Sequence, residues 1–508
     1  MSHNKLSSKS ALSGVVMEVR VEAPRIHGDT VTFSWSQSEE NPYQEENAFF
    51  LRYEGLDLQS FSAELFYEIF LALQLRVFSA YDCSVEIHFP TPVPAFGAVF
   101  WTAYHDATNI SIHPISNQGA YNPWSSEPIL VDQPKKSAVF FGGGKDSILA
   151  TCLLAEIQGQ NEVVLIQFVG PLRNDPQQTA ALEARQHRLL LEPARRVLGV
   201  ATQRGWTDYQ ANFREAGFPF RPHLEFYSAG ALPAMLAWGV DYCTFTANWT
   251  IMSTDARKTG ARVHRYMQSR PNTIVAQSRH YEATLGRRLE VGNILLPFHA
   301  LAAHWMLAER YPEAYDQIVS CTLGGPNKRW CLTCKKCGLF AFSSLAIGRL
   351  AADFDYDTFL TNSSFIKKAL AHAQSGVEPN HLGNVTWIPS FFTGIRSFIL
   401  GCHMIARIQI DELPITLSEP AMANLAMLQA MYGNHLYPDY ETVPRMMVEL
   451  LGPELGPQVS AIVAEHFEIV DFLPGPNYAG NRPTEYHFDV PLPAAIAALD
   501  HLRFDSAG

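Results

Sequence analysis

A chain of 508 residues, 47% hydrophobic and 17% charged, carries enough apolar side chain for roughly two to four domains with full cores, and no stretch of it is apolar for long enough to cross a membrane. Its net charge of -12 argues against a broad nucleic-acid-binding face, while leaving room for a local basic channel. Eight cysteines in so long a chain do not make a disulfide scaffold, and half of them crowd together, which points to metal.

The start, Met1-Ser2-His3-Asn4-Lys5, has no apolar stretch behind it, so a cytoplasmic location is expected; residues 1 to about 12 read as a polar, disordered lead. Alternating apolar and polar residues in Val16-Met17-Glu18-Val19-Arg20-Val21 and Thr30-Val31-Thr32-Phe33-Ser34-Trp35 predict short antiparallel strands between Val15 and Tyr53. Leu and Phe at three- and four-residue spacing predict a helix over 61–78, and a strand follows at 84–89. Together they outline an N-terminal α+β domain, residues 1–134.

The chain then reaches its most informative stretch, Val139-Phe140-Phe141-Gly142-Gly143-Gly144-Lys145-Asp146-Ser147, an apolar strand running through a glycine turn into a helix. Gly142, Gly143 and Gly144 let backbone N–H groups approach an anion with no Cβ in the way, and the helix beyond turns its positive end to the same anion. Lys145 adds a mobile charge and Ser147 a hydroxyl donor, while Asp146 is suited to capping the helix or to holding Mg2+ beside phosphates.

Strands are predicted at 138–141, 163–169, 242–246 and 293–296, and helices at 147–156, 180–198, 229–238 and 300–310. That alternation predicts an α/β, doubly wound parallel sheet over residues 135–351. Sites in such sheets lie beyond the carboxyl ends of the strands, so the glycine loop, the segment after Val169 and the segment after Thr246 should converge.

Cys321, Cys331, Cys334 and Cys337 are separated by nine, two and two residues. Four thiolates so spaced can close a tetrahedral Zn2+ site, with Gly324-Gly325-Pro326 bending Cys321 round and Lys328, Arg329, Lys335 and Lys336 offsetting the charge. A closed shell leaves no position for substrate, which makes the metal structural; an iron–sulfur cluster is the alternative, since thiolates alone do not name the metal. A helix over 339–350 should pack the cluster onto the domain, whereas Cys83, Cys152, Cys243 and Cys402 read as core. Residues 352–508 read as mostly helical, with candidates at 358–374, 395–410, 421–431 and 446–451 and a loop over 474–483.

The glycine stretch is not a Walker A loop and not the dinucleotide fingerprint. It resembles the PP-loop of the ATP pyrophosphatases, Ser-Gly-Gly-Lys-Asp-Ser, with Gly142 where most members carry serine. The resemblance implies a PP-loop, HUP-like sheet, ATP and Mg2+ as cofactors, cleavage between the α and β phosphates, and transfer of AMP to a substrate oxygen. The loop followed by Cys-x9-Cys-x2-Cys-x2-Cys is similar to the 7-cyano-7-deazaguanine synthases, which adenylate a deazapurine carboxylate and carry structural zinc. The Gly-Gly-Gly-Lys-Asp-Ser form and Arg329-Trp330-Cys331 resemble the UDP-N-acetylmuramoyl-L-alanyl-L-glutamate epimerases more closely, over most of residues 15–410. Those enzymes adenylate a terminal glutamate carboxylate, invert its α-carbon and hydrolyse the intermediate. Two stretches depart from the epimerase pattern. Ala247-Asn248-Trp249-Thr250-Ile251 lacks that family's glutamate and arginine, and Ile388-Pro389-Ser390-Phe391-Phe392-Thr393-Gly394-Ile395-Arg396-Ser397 stands where it has an acidic run.

On this reading Gly142, Gly143, Gly144 and Ser147 cradle pyrophosphate, Lys145 contacts phosphate oxygens, Asp146 orients metal or loop, and adenine lies near Phe168 and Val169. The acceptor is a small-molecule or peptide carboxylate; the sequence leaves open a homo-oligomer and a protein substrate or partner. His223, Glu225, Tyr227 and Asp255 lie on segments that should approach the site, and read first as structural polar residues. The run Arg257-Lys258-Thr259-Gly260-Ala261-Arg262-Val263-His264-Arg265 reads equally as a solvated face or a contact for an anionic substrate. His299 and His304 are expected to pack against the cysteine segment, and Phe391-Phe392 to sit in the core. Two other classes fit the same loop: a catalytically idle nucleotide-sensing scaffold, and a tRNA-thiolating enzyme whose cysteines carry sulfur, which the acidic charge disfavours.

Overall fold

Every residue of Val163–Val169 is buried, and so is every residue of Ser137–Phe140. Strands this apolar on both faces demand cover on both sides, and the fold supplies it. The computed structural model describes residues 16–471 apart from 129, 132, 171–175, 215–223, 248–253, 257–261, 265–270, 322–323, 325–326, 375–394 and 434–440.

In chain order the strands are β1 (Val16–Val21), β2 (Arg25–His27), β3 (Thr30–Gln37), β4 (Ala48–Tyr53), β5 (Ser84–Val93), β6 (Ile110–Ile115), β7 (Ser137–Phe140), β8 (Val163–Val169), β9 (Ala201–Thr207), β10 (Tyr242–Thr244), β11 (Thr254–Ala256), β12 (Arg262–His264), β13 (Glu290–Gly292), β14 (Thr442–Pro444) and β15 (Glu468–Val470). Eleven of them form one sheet in the order β13-β10-β7-β8-β9-β4-β3-β1-β5-β6, with β2 paired to β3. From β13 to β9 all neighbours are parallel. At β9 the direction changes: β4 pairs antiparallel with it, Leu51 opposite Thr207, and β3 and β1 continue antiparallel before β5 and β6 return to parallel pairing. The sheet of the first hundred or so residues therefore runs on into the central sheet.

Alternation along β7 and β8 divides the core in two. Val139, Phe141, Val163 and Leu165 face the helices Lys145–Gln158, Ala300–Arg310 and Lys335–Ile347. Ala138, Phe140, Val164, Ile166 and Phe168 face Ala63–Phe78, Ala95–Tyr104, Leu232–Ala237 and Pro271–Leu285. The N-terminal helices thus share one core with the helices on the second face of the central sheet. A buried hydrogen-bonded pair ties them there: His280 Nε2 lies 2.5 Å from Glu68 Oε1, both side chains fully buried. Helices of the C-terminal part, among them Tyr356–Asn362, Glu419–Tyr432 and Gly452–Ala464, extend the first core beside the two-stranded β14–β15 sheet. No helix among the described residues is long and apolar enough to cross a membrane.

Several elements differ from the sequence expectation. The strand expected at 293–296 lies earlier, as β13, and Ile294–Leu296 forms a turn. The helix expected over 180–198 is interrupted: Pro176–Gln186 and Glu192–Leu198 flank a π turn at His187–Leu191. The expected 1–12 lead, the 474–483 loop, His223, Asn248 to Ile251 and Phe391-Phe392 lie outside the described residues.

Candidate functional site

At the carboxyl end of β7 the chain leaves the sheet through Gly142 and turns at Gly143, where φ is +68°. Only glycine suits that position twice over, because a Cβ on Gly143 would lie 2.4 Å from Leu190 Cδ2. Leu190 reaches the loop from the π turn, so this irregular turn presses directly on the glycine loop. Gly144, extended at φ -81° and ψ 167°, caps Lys145–Gln158 without a side-chain hydrogen bond, and this helix start borders the cleft. Ser147 sits inside the turn: its Oγ accepts from Gly142 N at 3.3 Å and donates to Gly144 O at 3.1 Å. Lys145 Nζ donates to Asp146 Oδ2 at 2.6 Å, the lysine almost wholly buried and the aspartate partly open.

The loop opens onto a cleft of about 590 Å³. Its other walls come from Gln167 and Phe168 at the end of β8, Phe245, Thr246 and Ala247 after β10, and Val319, Ser320 and Cys321 before the cysteine turn. The ends of β8 and β10 thus meet the glycine loop and the approach to Cys321, while the segment expected after Val169 falls mostly, and the one after Thr246 partly, outside the described residues. Phe168 lines the cleft; Val169 beside it is buried and lies outside the lining. Tyr227 lines it too, with Phe140 at 5.7 Å between ring centres. Asp255 is on β11, and the described part of the basic run, Arg262–His264, is its antiparallel partner β12.

Two polar side chains on this cleft, Arg185 and Gln167, are not singled out by the sequence, and a third, His304, is expected only to pack against the cysteine segment. Arg185, buried at the end of Pro176–Gln186, donates from Nη2 to Cys321 O at 2.9 Å and ties the helix to the cysteine segment. Gln167 is 3% exposed, and its Oε1 has no hydrogen-bond partner. His304 is 1% exposed with Nδ1 unpartnered. Burial, and then the Lys145 ammonium, hold the His304 imidazole well below its ordinary pKa, so the ring is neutral. His304 does pack on the helix after the cysteines, 5.6 Å from Phe340, but it also lines the cleft. His299 instead caps Ala300–Arg310, accepting from Ala302 N at 3.1 Å. A polar residue at the end of a buried strand, as Gln167 is, was the available signal; nothing in the pattern around Arg185 or His304 distinguishes them from an amphipathic helix.

Cys321, Cys331, Cys334 and Cys337 come together with all four sulfurs within 4.8 Å of one another. Cys334 Sγ stands 3.6 Å from Cys337 and 3.9 Å from Cys321, and Cys331 is 3.8 Å from Cys337. Thiolates held tetrahedrally at about 2.3 Å from zinc stand about 3.8 Å apart, so the donors could hold an ion such as zinc. Leu332, at φ +59°, makes the tight turn between Cys331 and Cys334, and Cys337 N donates to Cys334 Sγ at 3.4 Å. Four thiols this close cannot all ionise unless a cation shares them. Hydrogen bonds from Cys334 and Cys337 pull the Cys321 thiol far down, and the same contacts push Cys334 and Cys337 up. The remaining cysteines are free thiols; Cys152, Cys243 and Cys402 are buried and Cys83 half-buried.

Fold and site together define an α/β protein whose mostly parallel sheet presents a glycine loop, a lysine–aspartate pair and a four-cysteine cluster around one cleft. Compared with protein-family models, curated proteins and solved structures, the chain finds no match, so the site's own geometry carries the functional reading.

Proposed function

We propose that this chain is an ATP pyrophosphatase of the PP-loop, HUP-like type, which transfers AMP from ATP to a substrate carboxylate and releases pyrophosphate. The observation that supports it is the Gly142 to Ser147 turn at the carboxyl end of a buried parallel strand, opening with its helix start on a cleft large enough for a nucleotide. A carboxylate oxygen attacks the α-phosphorus, its bond to the bridging oxygen breaks, and both electrons leave with pyrophosphate. That step asks for charge neutralisation and alignment more than for an acid or base. Backbone N–H groups of Gly144 and the helix start beyond it serve the leaving diphosphate and Lys145 its oxygens, while Ser147, taking the Gly142 N–H, holds the turn in shape. The open carboxylate of Asp146 suits Mg2+, which when bound would screen the diphosphate's charge. Phe140, Phe168, Tyr227 and Phe245 offer apolar surface for the base. Zinc at the four cysteines would be structural.

The acyl adenylate could then be inverted and hydrolysed, as in the epimerases, or joined to an amine or ammonia, as in the deazaguanine synthases. A nucleotide-sensing scaffold is the competing class. The deciding experiment incubates the protein with α-labelled ATP and a panel of acids: UDP-muramoyl dipeptide, carboxy-deazaguanine and simple peptides. Trapped adenylate with stoichiometric pyrophosphate is expected with one of them, and Lys145→Ala or Asp146→Ala should cut it about a hundredfold or more. Nucleotide binding without pyrophosphate from any acid would favour the scaffold.

A further inference from the structure

We infer that His304 is a positioning residue for Lys145, accepting a hydrogen bond from its ammonium when Asp146 turns away to a ligand; this rests on the nucleotide reading above. Lys145 and Asp146 hold one another at 2.6 Å. Where the lysine swings to phosphate and the aspartate takes a cation with both oxygens, that pair parts. The lysine side chain is only 7% exposed, so a donor freed there has little water to turn to. An ammonium with three N–H groups then needs a replacement acceptor, because a buried charged donor left unsatisfied is costly.

His304 meets the requirement from the next helix. Ala300–Arg310 packs against Lys145–Gln158, His304 lines the same cleft as Lys145, and its Nδ1 is buried without a partner. A neutral ring with its proton on Nε2 presents Nδ1 as an acceptor. The competing account is packing alone, since the ring also lies 5.6 Å from Phe340 and 6.1 Å from Tyr315. Two substitutions separate these accounts. His304→Phe keeps the ring and removes the acceptor; His304→Asn loses the ring and puts an amide oxygen near the place of Nδ1.

The test measures pyrophosphate release against ATP concentration in the wild type and both variants. It also follows the imidazole nitrogen resonances of 15N-histidine-labelled protein on adding α,β-methylene ATP. His304→Phe is expected to lose about tenfold or more in kcat with KM for ATP little changed, the contact mattering most as charge develops on the leaving group. His304→Asn should recover most of that loss, and the analogue should shift the Nδ1 resonance. A His304→Phe enzyme with wild-type kcat, a His304→Asn enzyme as slow as His304→Phe, or an Nδ1 signal unmoved by bound analogue would each overturn the role. Should His304→Phe fail to fold, the asparagine variant and the nitrogen signal still decide. If the wild type binds the analogue but releases no pyrophosphate with any acid, the adenylation reading fails by itself and the nitrogen signal alone judges His304.

Discussion

Val319 donates its backbone N–H to the carbonyl of Gly143 at 2.8 Å, which fastens the strand of chain running into Cys321 to the glycine loop. Arg185 adds a second tie, from the helix beside the cleft to the Cys321 carbonyl. A cluster that fixes Cys321 therefore fixes one wall of the cleft and the turn that faces it.

On the proposed function, loss of a metal from the four cysteines should for this reason weaken nucleotide binding. Cys334→Ser removes a sulfur that stands within 3.9 Å of two others, while the serine hydroxyl can still cap Lys335–Ile347. Metal analysis is expected to show less than stoichiometric zinc, with lower soluble yield. Chelation of the wild type should weaken binding of an ATP analogue in calorimetry before the far-UV spectrum changes. Unaltered analogue affinity in fully metal-free protein would separate the two sites.

The glycines of the loop should respond very differently to substitution. Gly143→Ala forces an alanine into left-handed backbone, at about 1–2 kcal/mol, and drives its Cβ into Leu190. Adding Leu190→Ala relieves the contact but not the backbone. Gly142→Ser meets nothing within 4 Å of its new Cβ, so it should fold as the wild type does. Thermal melts and analogue binding on the three variants test this ranking, and a Gly142→Ser protein less stable than Gly143→Ala would contradict it.

The parts of this site legible in sequence are those where chemistry is concentrated in a short run. Gly142 to Ser147 and the four cysteines declare themselves because few folds use such residues for packing. β8 is equally plain as an apolar segment broken only by Gln167. β9, Ala-Thr-Gln-Arg-Gly-Trp-Thr, carries no such signal, yet it is the strand on which the antiparallel part joins the parallel part. Two of its polar side chains find partners across the sheet: Gln203 Nε2 donates to Glu54 O at 2.9 Å, and Arg204 Nε donates to Glu54 Oε2 at 2.9 Å. Polar residues satisfied by distant partners look like loop when read alone. The same holds for His304, which becomes a cleft residue only through the packing of two helices.

That seam gives a pH dependence. Glu54, just past β4, accepts from Arg204 Nε of β9 at 2.9 Å, and this hydrogen bond holds its carboxyl below the usual range. A carboxyl whose folded pKa is depressed stabilises above its unfolded value and loses that contribution as pH falls through the folded one. Glu54 is half open to solvent, so screening limits the pair to about 1 kcal/mol or less. Denaturation curves from pH 6 to 3 should show Glu54→Gln with a shallower acid decline than the wild type and a small deficit near neutrality. Parallel curves would remove Glu54 from the acid response.

The Glu68–His280 pair should behave as a lock between the N-terminal helices and Pro271–Leu285. Trp101 Nε1 also donates to Glu68 Oε1, His280 stacks on Phe100 at 4.1 Å, and Oε2 of Glu68 is buried without a partner. Gly97 lies so close that a Cβ there would stand 2.2 Å from that oxygen. Glu68→Leu strands the histidine and should cost about 3–5 kcal/mol. A well-packed apolar replacement of both partners is often neutral or better, so Glu68→Leu with His280→Phe should recover most of the loss. Urea denaturation of the two singles and the double reads the coupling directly. Additive losses would mean that the pair contributes packing volume alone, and that hydrophobic burial by itself holds the N-terminal helices on the sheet.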